Sequence, residues 1–393
     1  MKIGILTFHS QLNYGGVLQC WALQTVLEKL GYEVVVLDRW MDEHNSTLEQ
    51  GYCGANWRAW VKLLCCPLAG LGDFNKLKRV RRTKKFIRNH LNITNYHFID
   101  WGNAPEELGV DILIVGSDQV WHCGDWGDPR VYLLEGAPNL PSIAYAASFG
   151  MVDIPEFIYS GRREIKAWPI YKRGIAKFRA VSCREEEGVR ICRRLGFSAS
   201  HVSDPTLLAW IDNQERKENN KVGLVCYFLG ESLDSCLDAL EEFASSNNCS
   251  VTVFLDNCGA LPFPNNYSAL KDNTHILVRR MRSRVNIAAD AAPDDFINAF
   301  KKAKWVISDS FHALMFSICF GCNARILTPT SEKRNKMFSR LKEIAEHVNG
   351  PLIAESLKSA LESFSSGEYV TYDYEWFRCQ KRKSVDWLLS ALS

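Results

Sequence analysis

The sequence predicts an α/β protein made of two Rossmann-like domains that face each other across a cleft. The chain has 393 residues, more than one hydrophobic core usually organises. Short apolar, β-branched segments alternate with longer amphipathic ones, which is typical of parallel strands joined by crossover helices. This alternation occurs in both halves of the chain, on either side of a polar segment at residues 212–221. Each half is therefore predicted to form its own parallel sheet.

Several segments have the composition of buried strands. They are residues 3–8, 34–37, 112–115, 143–147, 222–228, 251–255, 276–278 and 305–308. We assign residues 1–210 to a first domain and residues 221–370 to a second. Facing α/β domains hold their ligand between the carboxyl ends of the strands. Polar residues at those ends are therefore the candidates for function.

Composition limits the classes of function. A formal charge of +2 is too small to favour nucleic acid as a partner. The segment MKIGILTFHS runs into polar residues too soon for the apolar region expected of a secretory signal, and no run approaches the ~20 apolar residues of a membrane-spanning helix. We therefore expect a cytoplasmic protein with reduced thiols. Cys319 and Cys322 form a single CxxC without a second pair or a nearby histidine, which predicts a packed pair and no metal site.

A glycine-containing loop follows the first predicted strand. Asn13, Tyr14, Gly15 and Gly16 lead into an apolar helical stripe. Glycines let a ligand approach the backbone, and free N–H groups at a helix amino terminus favour an anion or a sugar oxygen. The alternative is a glycine turn that only lets helix and strand pack. The loop lacks the full GxGxxG pattern, so bound NAD is not expected.

The strand predicted at residues 112–115 ends in side chains suited to a saccharide. Ser117, Asp118, Gln119 and Trp121 follow it. Sugar hydroxyls need hydrogen-bond partners, and the apolar face of a sugar stacks on aromatic rings. The alternative is that Asp118 caps the next helix.

A histidine follows the strand predicted at residues 305–308. Asp309, Ser310 and His312 precede an apolar helical segment, so His312 is expected in the first helical turn. There the positive end of the helix dipole lowers the proton affinity of an imidazole, which suits an acid or a base near neutral pH. The alternative is a cap formed by Asp309 or Ser310, with His312 satisfied by a hydrogen bond in the core.

Three arginines are candidates for binding an anionic ligand. Arg184 follows an apolar run, and Arg279 and Arg280 follow the strand predicted at residues 276–278. A guanidinium can bind a carboxylate or a phosphate through two parallel hydrogen bonds. The alternatives are an ion pair of Arg184 with one of residues 185–187, and surface exposure of the other two.

A basic segment at residues 76–88 lies downstream of Trp57 and Trp60. Basic and aromatic residues side by side can hold a protein on an anionic membrane, which would bring this one to the inner membrane face. The alternative is a solvated helix face that covers the sheet.

The order of several segments resembles the polysaccharide pyruvyl transferase family. The segments are GILTFHSQLNYGGVLQCWALQ at 4–24, DILIVGSDQVWH at 111–122, SFG at 148–150, VSCREEEG at 181–188, SDPTLL at 203–208 and DDFINAFKKAKWVISDSFHALMFSICF at 294–320. Together they extend over most of the chain. The resemblance departs at Ala313-Leu314, where many members have Gly followed by Thr or Ala. This departure narrows the backbone access above the helix.

The resemblance implies a GT-B-like fold and transfer of pyruvyl from phosphoenolpyruvate to a saccharide, giving a cyclic ketal. His312 would be catalytic, with Asp309 and Ser310 beside it and a binding role for Arg184. The acceptor, a lipid-linked exopolysaccharide or capsule repeat unit, is expected on the first domain and the donor on the second. Residues 371–393 are expected to form a helix that returns to the first domain. No cofactor is required besides the donor substrate.

Two other functions stay open. A sugar-nucleotide-dependent GT-B glycosyltransferase would share the architecture, although no glycine-rich loop follows residues 222–228 beyond Leu229-Gly230. A non-catalytic saccharide-binding protein could keep the fold. The presence of Asp309, Ser310 and His312 argues against that second alternative.

Overall fold

The structure of the protein is a computed structural model. It describes residues 1–9, 13–38, 67–94, 101, 107, 109–123, 129–160, 163–212, 221–229, 233–255, 284–328, 341 and 344–393. The strand predicted at residues 276–278, the arginines at 279 and 280 and the tryptophans at 57 and 60 lie outside them.

A six-stranded parallel sheet forms the centre of the first domain. In spatial order its strands are β2 (Glu33–Val36), β1 (Lys2–Leu6), β3 (Ile112–Val115), β4 (Ser142–Ala147), β7 (Ala180–Cys183) and β8 (Ser200–His201). The helices of this domain are α1 (Tyr14–Lys29), α2 (Pro67–His90), α3 (Ala167–Ile175), α4 (Glu186–Arg194) and α5 (Pro205–Trp210), and a small antiparallel pair consists of β5 (Phe157–Ser160) and β6 (Arg163–Lys166). Every residue of β3 and β4 is buried, as continuous apolar strands covered on both faces require.

The second domain repeats this plan around another six-stranded parallel sheet. Its strands, in spatial order, are β11 (Val285–Ala288), β10 (Val251–Leu255), β9 (Leu224–Phe228), β12 (Trp305–Ser308), β13 (Asn323–Leu327) and β15 (Ile353–Ala354). Its helices are α6 (Leu233–Ser246), α7 (Pro293–Lys302), α8 (Phe311–Phe320) and α9 (Leu357–Ser365), and β14 (Val348–Asn349) pairs with β16 (Thr371–Tyr372).

The last helix, α10 (Tyr374–Leu392), makes contacts with the first domain. The Ser203 N–H donates a hydrogen bond of 2.9 Å to Ser384 Oγ. Arg179 Nη2 donates to the carbonyl oxygen of Ala391 at 2.5 Å. The end of the chain therefore lies against the domain in which the chain begins.

A continuous hydrophobic core crosses the boundary between the domains. Tyr14 of α1 stacks on Phe296 of α7, with ring centroids 4.6 Å apart and planes inclined by 13°. Trp210 of α5 meets Phe316 of α8 at 5.4 Å. Because interior packing is dense and resists deformation, these contacts hold the amino-terminal ends of α1 and α8 in a fixed relation.

The prediction of two Rossmann-like domains, each built on its own parallel sheet, is confirmed. The strands β11 and β13 were not predicted, because each carries a polar residue inside a short strand: Asn286 in β11 and Arg325 in β13. Arg325 is fully buried, and its guanidinium donates hydrogen bonds to Asn323 Oδ1 and Ser363 Oγ. A buried arginine with hydrogen-bond partners does not break a strand, although it breaks the apolar pattern used to recognise one.

Candidate functional site

The amino-terminal ends of α1 and α8 meet across the domain boundary. His312 is in the first turn of α8, as predicted, and its imidazole lies directly against Gly15 at the start of α1. A Cβ atom at position 15 would lie 2.6 Å from His312 Cγ and closer still to Nδ1. Only glycine therefore allows this approach. The positive ends of two helix dipoles converge here, which favours a bound anion.

The other residues of the first loop have structural contacts of their own. Asn13 is the N-cap of α1, and its Oδ1 accepts a 3.1 Å hydrogen bond from the Gly16 N–H. Tyr14 is 1% exposed, its hydroxyl donates to the Ala291 carbonyl at 3.3 Å, and the Arg79 guanidinium lies 4.4 Å from the centre of its ring. Tyr14 thus packs in the interdomain core, which differs from the acceptor-binding role predicted for it.

Arg184 lies at the centre of a buried cluster of acidic groups at the carboxyl end of the first sheet. Its Nη1 donates to Asp204 Oδ2 and its Nη2 to Asp118 Oδ1, both at 3.0 Å, and Glu185 Oε2 lies 3.7 Å from Nε. The side chain is 1% exposed, and the Phe311 ring covers one face of the guanidinium at 4.7 Å. Burial lowers the pKa of Arg184, but the neighbouring carboxylates raise it more, so the guanidinium stays charged.

This environment differs from the predicted donor-binding role of Arg184. The sequence-based alternative, an ion pair with one of residues 185–187, is present in part, since Glu185 contributes. The closer partners, Asp118 and Asp204, come from distant parts of the chain. In this structure Arg184 does not offer an exposed guanidinium to the cleft, because acidic groups and Phe311 surround it.

Asp204 joins the Arg184 cluster to His312. Its Oδ1 caps α5 by accepting a 2.9 Å hydrogen bond from the Thr206 N–H. Its Oδ2 accepts from Arg184 and lies 3.9 Å from His312 Nε2. Burial raises the pKa of this carboxyl, but His312, Arg184 and the Thr206 N–H lower it more, so the pKa falls below its usual value.

Asp204 is not among the site residues predicted from the sequence. Asp followed by Pro at the first helical position is a common way to begin a helix, and Asp204 does cap α5. The feature that could have pointed to a functional role for Asp204 is its position just after β8, at the same edge of the sheet as the other candidate residues.

Ser117 and Asp118 form part of the same cluster. Ser117 is fully buried, and its Oγ lies 3.0 Å from Gln19 Oε1 and 3.3 Å from Asp204 Oδ2. Asp118 has a φ of 69°, and its Oδ1 also accepts a 2.9 Å hydrogen bond from the Gln119 N–H. The residues after Asp118 form turns, so the alternative that it caps a following helix is wrong.

Gln119 and Trp121 differ in how they lie relative to the cleft. The Gln119 side chain packs against Gly150 and is partly exposed. Trp121 is fully buried, its indole N–H donates to the Tyr132 carbonyl at 3.2 Å, and Phe149 and Phe178 pack against its ring. The structure places Trp121 in the core of the first domain, in contrast to its predicted contact with a saccharide.

Asp309 and Ser310 shape the start of α8. Asp309 Oδ1 accepts a 2.7 Å hydrogen bond from the Leu229 N–H, which joins the end of β12 to the end of β9. Ser310 is the N-cap of α8 by position, and its side chain makes no capping hydrogen bond. Instead its N–H donates to Ser308 Oγ at 3.1 Å. Both residues therefore hold the backbone from which His312 projects.

His9, which follows β1, pairs with Asp38, a contact that was not predicted from the sequence. Its Nδ1 lies 3.0 Å from the Thr7 carbonyl oxygen and its Nε2 lies 3.0 Å from Asp38 Oδ1.

Cys319 and Cys322 are buried at the end of α8, and burial raises the pKa of the Cys322 thiol to about 11. In the parts of the chain that the structure describes, no three His, Cys, Asp or Glu side chains are grouped to hold a metal.

The basic segment is divided between two environments. Arg82 Nη2 lies 2.6 Å from Asp295 Oδ2, and Lys78 Nζ lies 2.5 Å from Asp290 Oδ2, so α2 forms ion pairs with the second domain. By contrast, the exposed residues of α2 include the basic side chains Arg81, Lys85 and Arg88. These are spaced by four and three residues and therefore share one face of the helix.

Comparison with known proteins gives a match at the level of the family. The family described as Polysaccharide pyruvyl transferase matches residues 13–331. No curated protein sequence gives a significant match.

Solved structures with similar architecture include UDP-GlcNAc 2-epimerases and a MurG protein. The epimerase of Neisseria meningitidis, bound to UDP-GlcNAc, is 10% identical, with 99% of this chain and 100% of that chain covered and a TM-score of 0.49. The epimerase of Methanocaldococcus jannaschii, in complex with UDP-GlcNAc and UDP, is 12% identical, with 92% of each chain covered and a TM-score of 0.45. MurG of Acinetobacter baumannii is 10% identical, with 98% and 93% covered and a TM-score of 0.43. At these values the likeness carries no functional argument.

Proposed function

Because the chain belongs to the polysaccharide pyruvyl transferase family, we propose that it transfers the pyruvyl group of phosphoenolpyruvate to two hydroxyls of a saccharide. The product is a cyclic ketal, and His312 moves the proton that activates the donor. One observation supports this proposal above the others: His312 lies where two helix amino termini meet, beside a buried carboxylate. Such a position suits both an anionic donor and proton transfer.

Phosphoenolpyruvate carries a phosphate and a carboxylate, so its binding site needs groups that donate hydrogen bonds at two points. The amino-terminal turns of α1 and α8 present the positive ends of two dipoles, and the first N–H groups of a helix have no partner within the helix. Asn13 already satisfies the Gly16 N–H, and Ser310 leaves the first turn of α8 without a side-chain cap. We therefore propose that α8, in the second domain, provides the larger part of the donor site. Arg279 and Arg280 remain predicted donor ligands.

The reaction requires one proton at the methylene carbon of the donor. Protonated His312 delivers it, which makes the central carbon electrophilic. A saccharide hydroxyl then forms a C–O bond to that carbon, and its proton returns to the imidazole. The second hydroxyl forms the other C–O bond as the bond to phosphate oxygen breaks, and its proton leaves with phosphate. Atoms and charge balance without a redox step.

The acceptor would approach from the first domain. Asp118 and Gln119 are partly exposed at the end of β3, and the start of α1 lies beside them, since a Cβ at Gly16 would be 3.6 Å from Asp118 Oδ2. These groups are suited to hydroxyls of a sugar. Tyr14, Ser117 and Trp121 are left out of the proposed acceptor contacts, because all three are buried.

The function is tested by incubating the purified protein with phosphoenolpyruvate and lipid-linked saccharides and following phosphate release. His312→Ala is expected to abolish release while leaving the fold intact. His347→Ala is a matched control, because His347 stacks on Trp376 in the second domain and faces no proposed substrate. Full activity in the His312 variant would refute its role. Turnover of a nucleotide sugar without phosphoenolpyruvate would favour the glycosyltransferase, and saccharide binding without any turnover would favour the non-catalytic alternative.

A lipid-linked acceptor would bring the enzyme to a membrane surface. None of the helices in the described ranges is long and apolar enough to cross a bilayer. We propose instead that the exposed basic face of α2, formed by Arg81, Lys85 and Arg88, contacts anionic lipid. Each basic residue near such a surface contributes about 1 kcal/mol.

Vesicle sedimentation tests this contact. Binding is expected to vesicles that contain phosphatidylglycerol and not to phosphatidylcholine alone. Replacing Arg81, Lys85 and Arg88 by alanine should weaken binding, whereas Arg82→Ala should not, because Arg82 faces Asp295 of the second domain. Equal binding of the triple variant and the unmodified protein would contradict the proposal.

A further inference from the structure

The Arg184 cluster holds more negative than positive charge. Three carboxylates, from Asp118, Asp204 and Glu185, surround one guanidinium, which leaves two formal negative charges in excess. The side chains of Asp204 and Glu185 are at most 2% exposed. Buried charge without compensation is strongly unfavourable, so a second cation nearby is expected to be stabilised.

His312 approaches this cluster from the second domain. Its Nε2 lies 3.9 Å from Asp204 Oδ2, within the range of an ion pair. Among the described residues, the groups next to the imidazole across the boundary include the Asp204 carboxylate at the start of α5 and the backbone of α1 at Gly15, and Asp118 lies beside the next residue, Gly16. Arg184 binds the same oxygen of Asp204, and its guanidinium lies against the ring of Phe311, the first residue of α8.

The two oxygens of Asp204 have separate roles. Oδ1 caps α5, so the carboxyl group is fixed to the first domain. Oδ2 accepts from Arg184, and the Ser117 hydroxyl lies 3.3 Å away, so this oxygen cannot rotate away from His312 without losing these hydrogen bonds. Helix capping needs only Oδ1. Arg184 and Ser117 thus fix Oδ2 at the position where His312 of the second domain meets it.

We propose that Asp204 is a positioning residue that favours the protonated form of the His312 imidazole, the form that gives a proton to the donor substrate, and holds the Nε2 side of the ring towards its carboxylate. Nδ1 lies on the side of Gly15, where the amino terminus of α1 begins. The identity of the molecule that accepts the proton rests on the proposed function. The protonation state of the imidazole rests on the geometry alone.

This arrangement exists only when the two domains are packed together. Asp204 belongs to the first domain and His312 to the second, and the glycine at position 15 permits the approach of the imidazole. Proton delivery therefore depends on the same interdomain packing that brings donor and acceptor together.

The first test needs no variant of Asp204. Nitrogen chemical shifts of ¹⁵N-histidine-labelled protein, with the His312 signals assigned by loss in His312→Gln, report which ring nitrogen is protonated in the neutral form. The expected form carries its proton on Nε2. A proton on Nδ1 would overturn the proposal, whatever the activity of the enzyme.

The second test compares Asp204→Asn with Ser117→Ala. Asp204→Asn removes the charge and is expected to move the midpoint of the His312 titration to lower pH by about one unit or more. Ser117→Ala keeps the carboxylate, so its midpoint should move much less. Equal shifts, or none in Asp204→Asn, would contradict a direct charge effect. If Asp204→Asn does not fold, as near-ultraviolet circular dichroism would show, the tautomer of the unmodified protein decides.

Kinetics separate this inference from the proposed function. In Asp204→Asn the alkaline limb of the kcat profile should move to lower pH in step with the imidazole titration, with KM for phosphoenolpyruvate unchanged. A loss confined to KM would assign Asp204 to ligand binding and overturn the positioning role. If phosphoenolpyruvate is not turned over at all while the Nε2 tautomer and the shifted midpoint are observed, the proposed function fails and the positioning role stands.

Discussion

The imidazole of His312 lies against the backbone of Gly15, although the two residues belong to different domains. Both begin a helix that follows a parallel strand, and the carboxyl edges of the two sheets bring those helices together. The contact is closer than any other residue at position 15 would permit. The relationship links the two domains at the point where we place the chemistry.

Alanine substitutions at Gly15 and Gly16 are expected to distinguish the steric effect of an added Cβ atom from its effect on helix propensity. In a helix, alanine is favoured over glycine by about 1 kcal/mol. Gly15→Ala adds a Cβ that overlaps the imidazole, whereas a Cβ at Gly16 meets Phe8 Cβ at 3.5 Å, an ordinary contact. We expect Gly15→Ala to lose about 1–3 kcal/mol of stability and most of its activity. Gly16→Ala should melt at the same or a slightly higher temperature.

Thermal unfolding and phosphate release on both variants measure these effects. If Gly15→Ala is as stable and as active as the unmodified protein, the imidazole does not lie where the structure places it.

Replacement of Trp121 distinguishes a core residue from a saccharide platform. Trp121→Phe loses the hydrogen bond to the Tyr132 carbonyl and leaves part of a buried volume empty. We expect a loss of about 1–3 kcal/mol in the free energy of unfolding, with KM for the acceptor unchanged. Urea denaturation and acceptor titration test this pair of expectations. A raised acceptor KM at unchanged stability would restore the saccharide contact that the sequence predicts.

The buried Asp204 should make stability depend on acidity. Its folded pKa lies below the ordinary value of 3.8, so it contributes stability above that pH and loses the contribution as pH falls through the folded pKa. We expect Asp204→Asn to be less stable than the unmodified protein by about 3 kcal/mol at neutral pH. The difference should shrink as the pH falls below 3.8.

Urea denaturation between neutral pH and pH values below the ordinary pKa of aspartate measures that difference. Asp212→Asn is the matched control, because its carboxylate is 62% exposed and pairs with Lys381 at the surface. It should change stability little at any pH. A difference for Asp204→Asn that is constant with pH would mean that its carboxylate is not paired in the folded protein.

The ion pairs of α2 should contribute to the packing of the two domains. Arg82→Ala removes the contact with Asp295 and is expected to lower stability by up to about 1 kcal/mol at low ionic strength. Arg81→Ala removes an exposed neighbour on the same helix and should have a smaller effect. Thermal unfolding at low and high sodium chloride tests this, because screening should remove the difference. A difference that persists at high salt would point to lost side-chain packing instead.

Many strands in both halves could be predicted, because a strand that is buried on both faces consists of a continuous run of apolar residues. The runs at 112–115, 251–255 and 305–308 coincide with β3, β10 and β12. Where a strand contains a buried polar residue with its own partners, as at Arg325, the pattern fails. The helical position of His312 could be predicted for a similar reason, since a polar residue between an apolar strand and an apolar helix marks a turn at the sheet edge.

Sequence alone determined the two α/β domains, the edge of each sheet that carries polar groups, the helical position of His312 and the resemblance to the family that matches residues 13–331. These depend on periodicity and order along the chain. Tertiary structure alone decided that Arg184 is enclosed by acidic groups, that Trp121 belongs to the core, and that Asp204 and Gly15 meet His312 across the domain boundary. The physical reason is that burial and charge pairing depend on distances between residues far apart in the chain, and packing sets those distances.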